Sequence, residues 1–145
     1  MRIAVLADTH DHCPPDLPER LRAADEIWHL GDVCDPKLLT VFEGIGPPVR
    51  VVLGNCDWNQ GWPREIRIEQ AGLRFLLVHI PPARAPLETD VVLHGHTHVA
   101  RDETDRRGVR WLNPGCISRP RGGAPPSFAW LAVRPGRLDW RIVPL

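Results

Sequence analysis

Ile3-Ala4-Val5-Leu6-Ala7-Asp8-Thr9-His10 decides how the rest of the chain is read: five consecutive apolar residues stop at a polar cluster. A short unbroken apolar run bounded in this way reads as a buried parallel strand entering a functional loop. The pattern recurs twice. Ile27 to Leu30 ends at Gly31-Asp32, and Val49 to Leu53 ends at Gly54-Asn55-Cys56-Asp57. Between these strands, Leu17 to Ala23 suits a short helix with Asp16 as cap and Pro18 in its first turn. Pro36 to Phe42 suits a second, with Asp35 as cap and Gly44 and Gly46 closing it. Three strands therefore deliver polar residues at their C-terminal ends, which is where open α/β sheets bind ligands.

Beyond residue 64 the pattern turns to strands: Glu65 to Glu69, Leu73 to His79, Val91 to His94, Val99 to Asp105, Val109 to Leu112, Phe128 to Val133 and Leu138 to Val143. Ala71-Gly72, Arg107-Gly108 and Pro135-Gly136 supply turns between them. The expected fold class is α/β, a two-sheet α/β sandwich flanked by short helices. The 145 residues, 43% apolar and without internal repeat or linker, predict one domain spanning 1–145. No apolar run approaches the roughly 20 residues of a membrane span, and Met1 to Ala7 is too short an apolar start for a secretory signal. The expectation is a cytoplasmic protein. Its four cysteines, Cys13, Cys34, Cys56 and Cys116, contain no C-x-x-C pair and read as reduced thiols. With 18 basic and 18 acidic residues the chain lacks the general attraction for nucleic acid of a basic domain, so phosphate binding must be local. Seventeen of the 18 basic residues are arginine, a side chain suited to phosphate.

Metal-ligand residue types collect at the predicted strand ends. Asp8-Thr9-His10 places a carboxylate and an imidazole at i and i+2, which an extended chain points to one side. Gly95-His96-Thr97-His98 repeats that spacing with two imidazoles, and Asp32, Asn55 and His79 lie between the pairs. Carboxylate, amide and imidazole donors together suit manganese, iron, zinc or nickel. Seven ligands are too many for one tetrahedral zinc, whereas two metals sharing a bridging carboxylate would use all of them.

The ordered series DTH, GDVCD, GNCD, the His79 strand end, GHTH and NPG resembles the calcineurin-like metallophosphoesterases, and GNCD with NPGCISRPRGG is similar to their small bacterial and archaeal phosphodiesterase branch. The resemblance runs from Ile3 to about Trp130. It implies that Asp8, His10, Asp32 and His98 hold one divalent metal, that Asp32, Asn55, His79 and His96 hold the other, and that Asp32 is the bridge. Manganese is the first expectation, with zinc, iron or nickel as alternatives. The implied activity is hydrolysis of a small phosphodiester or nucleotide-like substrate by a metal-bridging hydroxide, with no protein nucleophile. Phosphomonoester hydrolysis is an alternative, as is a non-catalytic interaction module like the retromer subunit of the same fold. No long nucleic acid or membrane is expected as partner, and homo-oligomer formation is left open.

Many members of the superfamily carry a histidine where this chain has Cys56. A thiol, with an ordinary pKa of about 8.5, is a poor replacement for an imidazolium acid. That favours substrates with good leaving groups, or acid catalysis by Asp57 or a metal-bound water; Cys56 and Asp57 are the candidate catalytic residues, with Cys56 alternatively a small buried side chain beside the site and Asp57 an acceptor supporting a ligand histidine. Arg121, in the Pro120-Arg121 pair that the branch usually keeps, and His12 are the candidate substrate contacts; an ion pair is the structural alternative for Arg121. Trp58 and Trp62 are candidates to wall the pocket. Cys116 stands where the branch usually carries serine, and His29 and His94 read as structural. Only 15 positions separate His79 from His94, where branch members usually have a longer stretch with a helix, so the chain is trimmed beside its site.

Overall fold

A computed structural model describes residues 1–58 and 61–145. The elements are β1 (Arg2–Leu6), α1 (Leu17–Leu21), β2 (Glu26–His29), α2 (Lys37–Glu43), β3 (Val49–Val51), β4 (Glu65–Gln70), β5 (Leu73–Val78), β6 (Val91–Leu93), β7 (Arg101–Thr104), β8 (Arg110–Asn113), β9 (Ser127–Arg134) and β10 (Arg137–Pro144). They form two five-stranded mixed sheets, ordered β10-β9-β1-β2-β3 and β4-β5-β6-β8-β7. In the first, β1 pairs in parallel with β2, and β2 with β3, while β9 runs antiparallel to β1. In the second, β5, β6 and β8 are parallel, flanked by antiparallel β4 and β7. No helix is long and apolar enough to cross a membrane.

Alternation along β1 explains the layering. Ile3, Val5 and Ala7 enter the core between the sheets with Trp28, Phe75, Leu77, Leu93 and Leu112. Ala4 and Leu6 face the other way, against Leu17 and Leu21 of α1 and Leu39 and Phe42 of α2. A strand sandwiched on both faces has no place for polar residues until it ends, which is why the apolar run breaks only at Asp8. Trp28 and Phe75 meet edge to face across the interlayer with centroids 5.9 Å apart. Each such ring, fully buried, contributes about 1.5–3 kcal/mol over its exposed state. Leu76, Val92 and Trp111 cover the outer face of the second sheet, with Ala85 of the 80–90 segment packed on them.

The expected caps differ from those observed. Asp16 holds the N-cap position of α1 but makes no side-chain cap bond: its φ and ψ are helical where a capping residue is extended, and Pro18 removes one of the two N–H groups it could accept. In α2 the cap position belongs to Pro36, yet Asp35 Oδ1 still accepts the Lys37 N–H at 2.9 Å. Strands β1, β2, β5 and β6 stop before Ala7, Leu30, His79 and His94, because the backbone there turns into the loops that carry the polar clusters.

Candidate metal centre

Five of the seven expected ligands have positive φ: Asp8, His10, Asp32, His96 and His98. Non-glycine residues adopt this region rarely, with Asp and His among the more tolerant types. The i, i+2 pairs Asp8/His10 and His96/His98 therefore converge through left-handed turns and not through extended chain, which corrects the geometric premise while leaving the residues together. Backbone bonds hold the turns against the strain: Asp8 N–H donates to Gly31 O at 3.0 Å and His10 N–H to Asp32 O at 3.0 Å. The two loops meet closely enough that a Cβ on Gly54 would fall 2.2 Å from Asp32 N and Oδ1.

Asp8, His10 and His98 each bring one donor atom within 4.8 Å of the others, as do Asp8, Asp32 and His79. His10 Nε2 and His98 Nε2 face each other at 3.3 Å, and His98 Nε2 lies 3.3 Å from Asp8 Oδ1. Asp32 Oδ2 stands 3.8 Å from His10 Nε2 and 3.3 Å from His79 Nε2, so one oxygen faces both subclusters. The other oxygen, Oδ1, accepts the Cys56 N–H at 2.8 Å. Asn55 Oδ1 faces His79 Nε2 at 3.0 Å and His96 Nδ1 at 2.9 Å. All seven expected ligands thus meet at one place.

Two of the imidazole tautomers follow from carbonyls, which can only accept. His98 Nδ1 is 2.7 Å from Arg119 O and His79 Nδ1 is 2.8 Å from Leu30 O, so both Nδ1 atoms carry the hydrogen. Nε2 of each ring then faces carboxylate or amide oxygens, so the contact needs a positive charge between them, a proton on Nε2 in the metal-free protein or a cation in its place. Histidines oriented by backbone carbonyls in this way are the usual support of metal ligands. The donor set fits divalent metal. The electrostatics agree: burial pushes the Asp8 carboxyl up to about 7, opposed by His79 and reinforced by the Asp32 charge. Burial works against protonation of His79, but the bond and charge of Asp32 outweigh it and raise its pKa. Burial alone would raise Asp32, yet bonds from His79 and the Cys56 N–H hold it well below the carboxylate range.

The remaining expectations divide. Cys56 lines a cavity of about 480 Å³ with His10, Asp32, Asn55, Arg119 and Arg121, and its thiol joins His10 and Asp32 within 4.8 Å. Burial, then Asp32, pushes that thiol up. Asp57 is 6% exposed; its Oδ2 accepts the N–H groups of Asp32 (2.9 Å) and Gly54 (2.7 Å), and its Oδ1 that of Cys34 (2.8 Å). Both of its oxygens are engaged with backbone, and no hydrogen bond to a ligand histidine accompanies them among the described residues. Arg121 lines the cavity, and neither it nor Arg119 forms an ion pair among the described residues. His12 is exposed and is not part of the cavity lining. Nor do the tryptophans wall it: Trp62 packs on the core beneath α1 and α2, and Trp58 is 80% exposed.

Several contributors lack a sequence signal. Cys34 Sγ approaches His10 Nδ1 at 3.5 Å, and burial pushes its thiol up to about 12. Ser118 Oγ donates to Asp8 O at 3.0 Å, and the buried Cys116 thiol approaches the same carbonyl at 3.3 Å. His29, fully buried, accepts the Gly31 N–H on Nδ1 at 3.2 Å and meets Thr9 Oγ1 through Nε2 at 3.1 Å. His94 is likewise enclosed against Trp111. Both are buried and hydrogen-bonded, which fits the structural reading.

Comparison with known proteins places this geometry. A probable metallophosphoesterase of Methanothermobacter thermautotrophicus is 31% identical over 99% of this chain and 92% of its own length. The solved structure of the phosphoesterase YfcE of Escherichia coli superposes with a TM-score of 0.78 and 25% identity, covering 91% of this chain and 88% of that one. The zinc-complexed Vps29 of Entamoeba histolytica shares the fold, with a TM-score of 0.80 at 21% identity over 99% of this chain and 98% of its own. The family profile described as the calcineurin-like phosphoesterase superfamily domain matches residues 1–136, and the chain belongs to that superfamily.

Proposed function

We propose that residues 1–145 form a single phosphoesterase domain that hydrolyses a small phosphodiester or nucleotide-like substrate with two divalent cations, manganese first among them. The observation that carries the two-metal reading is Asp32: Oδ2 faces both His10 and His79, while Oδ1 is pinned by the Cys56 N–H. Asp8, His10 and His98 would complete one site, and Asn55, His79 and His96 the other. When bound, such a pair supplies Lewis acidity toward phosphoryl oxygens and a water acidified to a hydroxide nucleophile. The chain's own part is to fix the donors. Leu30 O and Arg119 O set the His79 and His98 tautomers, and Asp57 fixes the Asp32 turn. Arg121 and Arg119 line the cavity and form no ion pair among the described residues, which suits them to bind a substrate phosphate. Burial and the Asp32 charge raise the pKa of the Cys56 thiol at the same cavity, so acid assistance to the leaving group is weak.

The test is hydrolysis of bis(p-nitrophenyl) phosphate by metal-stripped protein before and after adding manganese, with bound metal counted and p-nitrophenyl phosphate assayed in parallel. Activity restored near two metals per chain is expected, with the diester preferred. Asp32→Ala should abolish it. An absence of bound metal, or full activity in Asp32→Ala, would overturn the reading.

A further inference from the structure

Although the chain is formally neutral, its arginines are unevenly neutralised. Among the described residues, eight of the 17 form ion pairs with a carboxylate. On the outer face of the second sheet a cavity of about 610 Å³ lies between the 80–90 segment and the β7–β8 turn, lined by Arg84, Arg101, Arg106, Arg107, Asp105 and Trp111. It shares no lining residue with the metal cavity.

Its one lining carboxylate is already engaged. Asp105 Oδ1 accepts the N–H groups of Arg107 (2.8 Å) and Val109 (3.0 Å), and Oδ2 accepts the indole N–H of Trp111 (3.1 Å). These bonds fix the turn that carries Arg106 and Arg107. Arg107 Nη1 donates to Ala85 O at 2.9 Å, tying the two rims together. Arg101 lies over the Trp111 ring, 5.1 Å from its centroid, with Nε–H on Glu103 at 2.8 Å. Arg84 and Arg106 make no ion pair or hydrogen bond among the described residues. Four arginines therefore line one cavity whose one lining carboxylate, Asp105, is spent on the turn, and the rims are tied by hydrogen bonds to backbone.

We infer that this cavity binds a small ligand carrying two or more phosphate groups. Guanidinium forks match phosphate oxygens in bidentate geometry, and preorganised rims lessen the ordering cost of binding. Its volume falls within the roughly 300–1,000 Å³ of small-molecule sites, far more than a lone phosphate fills. Trp111 supplies an aromatic floor beside the cationic rim. The inference is independent of the proposed hydrolysis.

The experiment uses metal-free protein, so that no phosphate is captured by a cation, and inorganic tripolyphosphate as probe. Calorimetry gives affinity and stoichiometry, and the Trp111 indole N–H resonance, assigned with Trp111→Phe, reports the location. One-to-one binding that shifts this resonance is expected, with orthophosphate at least tenfold weaker. Arg84→Ala/Arg106→Ala should weaken tripolyphosphate at least tenfold while keeping the wild-type unfolding midpoint, since both side chains are exposed. Arg119→Ala/Arg121→Ala should leave the affinity within twofold. No saturable binding, equal weakening by the two pairs, or a loss confined to Arg119→Ala/Arg121→Ala would overturn the assignment.

Discussion

Removing the Asp57 carboxylate separates a structural role from an acid one. Its oxygens hold three backbone N–H groups, of Asp32, Gly54 and Cys34, at 2.7 to 2.9 Å, in a place only 6% exposed. Hydrogen bonds to a charged group are worth about 1.5–3 kcal/mol each, and donors left buried carry their own penalty. Water entering the space of the lost side chain returns part of this, so Asp57→Ala should cost roughly 3–5 kcal/mol, a large share of the ~5–15 kcal/mol stability of a domain. Asp57→Asn keeps an oxygen where Asp32 and Gly54 donate but turns an amide N–H₂ toward the Cys34 N–H. About half the loss is expected there. Urea unfolding of metal-free protein gives the energies, and manganese titration gives the consequence for Asp32, whose turn loosens and whose metal affinity should fall about 10–100-fold. An Asp57→Ala protein that unfolds at the wild-type midpoint, binds two metals and yet fails to turn over would refute this reasoning and make Asp57 the acid.

Gly54→Ala should destabilise by more than ~3 kcal/mol in urea, because the new Cβ would sit 2.2 Å from Asp32 N and Oδ1 where neither backbone can retreat; a loss below ~1 kcal/mol would show that the loops do not meet as described. Burial lowers the His29 pKa to about 3, so its unfolded form binds a proton first as pH falls below 6.5, and stability is lost until the folded ring protonates near 3. Asp8, raised to about 7, works with the opposite sign in the metal-free protein, so the diagnostic is the difference in urea stability between wild type and His29→Gln, which should shrink by about 2 kcal/mol from pH 6.5 to 5. Cys56→His should raise turnover of diesters with poor leaving groups, such as alkyl phenyl phosphates, more than that of bis(p-nitrophenyl) phosphate; a gain confined to the good leaving group would contradict weak acid assistance.

Legibility in the sequence followed from how strongly each feature constrains composition. Strands β1, β2 and β5 are buried on both faces, so their apolar runs and polar stops are forced, and the ligand-bearing loops could be placed from them. The convergence of the seven candidate ligands was legible because carboxylate, amide and imidazole recur together at those stops. Asp57 was ambiguous, since accepting backbone N–H groups requires only an acceptor of the right length, and an aspartate beside Asn55 and Cys56 reads equally well as an acid. Trp58 and Trp62 failed as pocket walls for a related reason: an aromatic near a site in sequence is directed by the packing available, and Trp62 found the core under the helices. The left-handed backbone at five candidate ligands left its trace only in the glycines beside Asp32 and His96 and in the Asp and His types that tolerate it.

The site is assembled so that neither sheet completes it alone. Asp8, Asp32 and Asn55 leave the first sheet after β1, β2 and β3, whereas His79, His96 and His98 leave the second after β5 and β6. The links between the halves are polar and specific: His79 Nδ1 to Leu30 O, the His96 N–H to Asp8, and Arg121 N–H to His98 O at 3.0 Å. The interlayer core, with Trp28 against Phe75, fixes the distance between the sheets, and those bonds fix their mouths. A cavity cut into that core, as by Phe75→Ala, costs about 3–5 kcal/mol in the usual case and lets one sheet shift against the other. Asp32 Oδ2 faces His10 from its own sheet and His79 from the opposite one, and Asp8 Oδ1 faces His98 across the same gap, so a small relative shift of the sheets changes both carboxylates' contacts. If these donors hold the two cations proposed above, Phe75→Ala should weaken manganese binding along with stability, and unchanged manganese affinity in that variant would refute the coupling.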